Sequence, residues 1–160
     1  MVTGDVTAPK AFEVTEWFNM PGDPLAFASS LTKKPVLYLI ARGDQEVPNP
    51  TNSIFIRAAS GQSSTWVYRP DRACKIVGSS ALPEQPHRFL SEPFMYESTA
   101  RTSIALAAQN QVAEFIASDG TNRVDPDSYL TPPFKPGDNL FEVPGSLPDT
   151  LNYGPPCSRP

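Results

Sequence analysis

Apolar residues run almost unbroken through 35–41, Pro-Val-Leu-Tyr-Leu-Ile-Ala, a pattern that fits a strand buried on both faces. A second apolar run at 53–59 follows the loop 42–52, so this stretch reads as strand, long loop, strand. Residues 64–69 alternate, with Trp66 and Tyr68 on one side and Val67 on the other, and predict a short strand. Residues 73–77 predict another strand, stopped by Gly78, and 140–143 predict a last one. Near the start, 11–18 alternates with Phe12, Val14 and Phe18 on one face and Trp17 on the other. Residues 88–97 read as extended, broken at Pro93.

Helical signals are fewer. Asp23 can cap a helix and Pro24 suits its first position, while Leu25, Ala28 and Leu31 share a face, which predicts a helix over 24–32. Lys33 and Lys34 follow at the end where the helix dipole favours cations. Residues 102–118 fit two templates. Absence of Gly and Pro and abundance of Ala favour a helix. Alternation of Ile104, Leu106 and Ala108, and of Val112, Glu114 and Ile116, fits a hairpin turning at 109–111. The β-rich surroundings favour the hairpin, and the helix stays open as the alternative. From residue 125 onward, prolines interrupt any ladder.

These elements predict a mainly β fold: an antiparallel β-sandwich or barrel with one or two short helices and an irregular proline-rich C-terminal tail. The expected organisation is a linker or leader at 1–10, a single β domain at 11–153 and a tail at 154–160. Linker-like sequence at both ends suggests a domain cut from a larger protein.

Composition sharpens this picture. Nineteen prolines among 160 residues are more than twice the usual share, and scattered prolines argue for punctuated strands against long helices. The net charge is −4. Basic residues are never dense enough to track a phosphate backbone, so no direct nucleic-acid partner is expected. No apolar run reaches the length of a bilayer span, and the first residues lack the basic and apolar regions of a signal peptide. Membrane insertion is not expected. Cys74 and Cys157 either form one disulfide that pins the C-terminal tail or remain two free thiols.

Candidate chemistry lies in a few places. The loop after the first strand opens with Arg42-Gly43-Asp44. Glycine permits a turn that throws its neighbours outward, presenting a guanidinium for a carboxylate and a carboxylate for a partner's divalent cation. Trp66 and Tyr68, or Trp17 beside Glu13 and Glu16, are candidates for a sugar-stacking or interface platform, with core packing the plainer role. His87 is the one imidazole, so a serine relay requires it, with Ser79, Ser80 or Ser91 and Glu84 or Glu92 nearby in sequence. No nucleophile elbow accompanies it. Asp119, Asn122, Asp125 and Asp127 make an oxygen-rich loop without the spacing of a calcium loop. No catalytic set, metal site or cofactor is therefore expected.

Short strands, abundant Pro, Ser, Thr and Asn, linker-like ends and Arg42-Gly43-Asp44 on a long loop together resemble the protruding domain of a small non-enveloped RNA virus coat protein. The resemblance implies a capsid surface domain on the virion that self-associates as a dimer or trimer. It also implies host attachment, to a cell-surface receptor or glycan, with the Arg42–Asp44 tripeptide as an integrin ligand. The alternatives are a carbohydrate- or protein-binding β-sandwich module using Trp66, Tyr68 or Trp17, and a hydrolase using His87.

Overall fold

The computed structural model describes residues 10, 13–15, 22–83, 85–91, 98–145 and 157. It overturns the mainly β expectation: of the described residues 53% are helical and 8% are strand, and these strands form one small three-stranded sheet instead of a sandwich or barrel. The elements in chain order are α1 (Pro24–Phe27), β1 (Tyr38–Ala41), α2 (Asn49–Ala58), β2 (Thr65–Tyr68), α3 (Pro70–Val77), α4 (Thr99–Ala117) and β3 (Phe141–Glu142). Short 3-10 turns stand between them, at Ala28–Lys33, Gln62–Ser64, Ser79–Ala81, Pro86–Arg88 and Pro126–Tyr129.

Proline placement explains the error. Pro24, Pro50, Pro70, Pro86 and Pro126 each sit in the first turn of a helical segment. The first N–H groups of a helix have no internal partner, so proline costs nothing there and its fixed φ starts the turn. Residues that read as strand breaks are helix starts. The apolar runs behind Pro50 and Pro70, expected as strands at 53–59 and 73–77, are α2 and α3. The 24–32 helix is found as α1 and the following 3-10 turn, with the Asp23 carboxylate accepting from the Leu25 N–H at 2.9 Å. Of the N-terminal strand expected at 11–18, residues 13–15 are helical and the others, Trp17 included, lie outside the described residues. The extended segment at 88–97 is a turn through 91, and 92–97 lie outside them.

β1, α2 and β2 form a strand–helix–strand unit. β1 and β2 run parallel, with Tyr38 opposite Thr65 and Ala41 opposite Tyr68. Parallel neighbours require a crossover, and α2 supplies it. β3 adds antiparallel to the far side of β2, with Phe141 opposite Tyr68. Side chains alternate between two layers as the pleat dictates. Ile40 and Val67 pack with Ile56 of α2 on one face. Ala41, Tyr68 and Phe141 join Phe89, Leu130, Phe134 and the α4 residues Ile104 and Ala108 on the other. Both faces of the parallel pair are thus covered, as the unbroken apolar run at 35–41 implied.

α4 replaces the hairpin expected at 102–118. Its nineteen residues hold six alanines and no Gly or Pro. Summed helix propensity over such a window outweighs a weak alternation. The alternation misled because burial extends around most of the helix, through Ala100, Ser103, Ile104, Ala105, Ala107, Ala108 and Gln111, with Leu106 left out in solvent. Two polar side chains tie α4 to the 124–131 segment. The Ser103 hydroxyl donates to the Thr131 carbonyl at 2.8 Å and accepts from the Thr131 N–H at 2.9 Å. Gln111 Nε2 donates to the Val124 carbonyl at 2.7 Å. That segment carries Asp127, whose Oδ1 accepts from the N–H groups of Leu140 and Phe141 at the start of β3. Cys74 and Cys157 form a disulfide across 83 residues of sequence.

Candidate functional site

Polar side chains gather where β1 and β2 end. In sheets with parallel strands, the crevice beyond the carboxyl ends is where ligands are bound, because side chains from successive strand–helix turns converge there. Here β1 runs straight into Arg42-Gly43-Asp44 and β2 into Arg69-Pro70-Asp71-Arg72. The Arg42 N–H bonds the Tyr68 carbonyl at 2.9 Å, and the Arg69 N–H bonds the Leu140 carbonyl at 2.7 Å, so both turns are fixed to the sheet.

The Arg42–Asp44 turn is built from within. Gly43 has φ 75°, a left-handed backbone that a side chain resists. Its N–H donates to Asn49 Oδ1 at 2.8 Å, and Asn49 Nδ2 donates to the Ala41 carbonyl at 2.7 Å. Asn49, buried at the start of α2, therefore closes the corner. Asp44 Oδ1 accepts from the N–H groups of Glu46 and Val47 at 2.9 and 3.0 Å. Its Oδ2 meets His87 Nδ1 at 2.8 Å. With both oxygens engaged and its side chain only 7% exposed, Asp44 is not presented to a partner's cation. Arg42 likewise points inward, Nη1 to Asp71 Oδ2 at 2.8 Å. The expected display of this tripeptide on an open loop is corrected: α2 begins at Asn49, which shortens the loop and buries its corner.

Around Arg42 the charges form a chain. Arg69 grips Asp71 with two parallel bonds of 2.8 Å, from Nε to Oδ1 and from Nη2 to Oδ2. Its Nη1 reaches Glu142 on β3, and Glu142 also receives Arg72 Nη2. Arg72 Nη1 donates to the Asn139 carbonyl at 2.6 Å. The chain thus joins the ends of β1, β2 and β3 to the first turn of α3. Burial works to raise the Asp71 pKa, but the hydrogen bonds and charge of Arg69 and the charge of Arg42 outweigh it and hold that carboxyl below its usual range. The bond to Asp71 pushes Arg69 up, against burial and with help from Glu142.

His87 stands in the Pro86–Arg88 turn, which packs beside the β1 turn. Gln85 Oε1 accepts from the His87 N–H at 3.2 Å and from the Gln45 N–H at 3.4 Å, stitching the two loops together. The His87 side chain is 33% exposed, and Nε2 lies 3.6 Å from Glu46 Oε2. Both ring nitrogens face carboxylates, and among the described residues neither bonds a serine. The serine relay considered from sequence is not assembled. The carboxylate it needed is present, but it is Asp44, 43 residues away in sequence.

The aromatic candidates go elsewhere. Tyr68 is buried in the main core, stacked on Phe89 with ring centroids 5.1 Å apart and tilted against Phe141 at 5.5 Å. Trp66 is half-buried against the same core. They form no exposed platform, because that face of β2 packs in the main core, the plainer of the two roles open to them. Trp17 lies outside the described residues. In the oxygen-rich loop, Asp125 caps the Asp127 N–H at 2.9 Å and Asp127 serves β3, so these groups are committed to backbone. Among the described residues no cluster of three or more His, Cys, Asp or Glu has metal-binding geometry.

Sequence reasoning missed Asn49, Asp71, Gln85 and Glu142. The available signal was an Arg-rich or Asp-bearing turn directly after each of two apolar strands, which becomes a site only if the strands are parallel. No family model, curated protein or solved structure matches this chain.

Proposed function

We propose that the polar end of the sheet is an acid–base site in which His87 moves a proton and Asp44 orients it. The observation that carries this reading is the 2.8 Å contact between His87 Nδ1 and a carboxylate that is almost wholly buried. A carboxylate accepts, so Nδ1 carries a proton, and in the neutral ring Nε2 keeps its lone pair. Asp44 is itself held by two backbone N–H groups, so the ring is oriented by a fixed group. A histidine with one nitrogen held by a buried carboxylate, and the other too far from its neighbour for a direct hydrogen bond, is suited to general acid–base catalysis.

The reaction class is proton transfer to or from a hydroxyl, with water or a substrate hydroxyl as nucleophile, since no serine among the described residues bonds the ring. The 3.6 Å gap between Nε2 and Glu46 is too long for a direct hydrogen bond. A water beside that gap has two protons and can donate to both groups, whereas a substrate hydroxyl has one, for Nε2. Glu46, exposed on the rim, is the second carboxylate of the site.

The test is hydrolysis across a panel of chromogenic carboxylic esters and phosphodiesters. A turnover that falls about 100-fold or more in both His87→Ala and Asp44→Asn supports the reading. Full turnover in His87→Ala removes it, and assigns His87 to clipping the two loops together.

A further inference from the structure

We propose that the Cys74–Cys157 disulfide is a redox-sensitive strap over α3, the helix that braces this site. α3 has eight residues, too few to persist without help from the body. Its N-terminal half is well held: Pro70 and Ala73 are buried, and Asp71 and Arg72 join the chain of charges. Its C-terminal half is held less, with Val77 packed on the main core. Lys75 and Ile76 are exposed, Val77 is half-buried, and the helix stops at Gly78, where φ is 80°. Cys74 sits between these halves, bonded to Cys157, which packs on the main core and lies 3.9 Å from the Pro70 carbonyl. The strap therefore adds a covalent tie at the middle of the helix, after which Val77 alone packs on the main core.

Neither cysteine is fully buried. A dithiol reductant can open the bond by thiolate attack on one sulfur, forming a mixed disulfide that its second thiol then displaces. Two electrons and two protons pass to the protein, leaving Cys74 and Cys157 as thiols and the reductant as its own disulfide. Release of Cys157 removes a covalent tie from the middle of this short helix, which is expected to loosen the helix as a unit, Asp71 against Arg42 included. Arg42 leads directly into Gly43 and Asp44, so the change reaches the group that orients His87. The strap acts on this geometry whether or not His87 transfers a proton.

Amide hydrogen exchange on the full chain, oxidised and after dithiothreitol, tests the strap, with Cys157→Ser as a reductant-free counterpart. Reduction is expected to speed exchange in α3 and at Gly78 by about tenfold or more, with the centre of α4 little changed. The His87 ring ¹⁵N signals are expected to shift in the same samples. A uniform change across the chain overturns the proposal, since the bond then acts on the unfolded chain alone. So does an unchanged α3, an unmoved His87 signal, or a Cys157→Ser chain that fails to fold.

Discussion

Asp71 and Asp127 both hold the three-stranded sheet together, and they do it under opposite electrostatics. Asp71 meets two guanidiniums at the ends of β1 and β2 and keeps 18% of its side chain in solvent. Asp127 lies under the start of β3, 4% exposed, and meets backbone N–H groups. The Asp71 carboxyl is held below its usual range, while burial, with Asp125 adding to it, lifts Asp127 to about 6 against the bonds from Phe141 and Leu140. The same side chain is stabilised as an anion in one place and penalised as one in the other. Opposing charge decides the first case and dehydration the second.

The sharpest way to break this comparison is to remove each carboxylate. Asp71→Ala leaves Arg42 and Arg69 part-buried without their shared partner, and should cost about 2–4 kcal/mol in urea unfolding at pH 7. Asp127→Ala strips the acceptor from two buried N–H groups but also removes a buried charge. Its cost should therefore depend on pH. A raised folded pKa contributes stability that is complete below the unfolded value of 3.8 and is lost as pH rises through about 6. The penalty of Asp127→Ala should shrink by on the order of 2 kcal/mol between pH 4.5 and pH 7. Asp71 has the reverse sign: its contribution is present above 3.8 and lost as pH falls through its depressed folded value. Equal pH slopes for the two variants would contradict the assignment.

Smaller changes sharpen it. Gly43→Ala should cost about 1–2 kcal/mol through its left-handed backbone, measured as a shift in Tm. Arg69→Lys keeps the charge but loses the paired bonds to Asp71, and should cost about 1 kcal/mol. A larger loss in Arg69→Lys than in Asp71→Ala would mean that the Glu142 contact, and not Asp71, carries the chain.

How far the sequence was readable follows from which signals were local. Residues 64–69 and 35–41 announced β2 and β1 because their side-chain patterns match the pleat and the double burial that those strands have. The Asp23–Pro24 pair announced α1 through capping chemistry. The apolar runs after Pro50 and Pro70 are short enough to fit a strand or a helix, and only the meaning given to proline separates the two. That choice propagated: two helices read as strands turned a strand–helix–strand unit into an apparent hairpin series. The site then became illegible, because Arg42 and Asp71 meet only if β1 and β2 are parallel. His87 is legible as the one imidazole, but sequence proximity points to Glu84 and Glu92 as its carboxylate, while the fold brings Asp44 to it. The display that sequence suggests for Arg42 and Asp44 is removed by the tie of Arg42 to Asp71 and by the burial of Asp44.

The most direct measurement of the central claim is the ring ¹⁵N spectrum of His87 in the wild type and in Asp44→Asn. The account predicts that neutral His87 carries its proton on Nδ1 in the wild type and that the tautomer mixture shifts toward Nε2–H in the variant. A proton resident on Nε2 in the wild type, or an unchanged spectrum in Asp44→Asn, would contradict it.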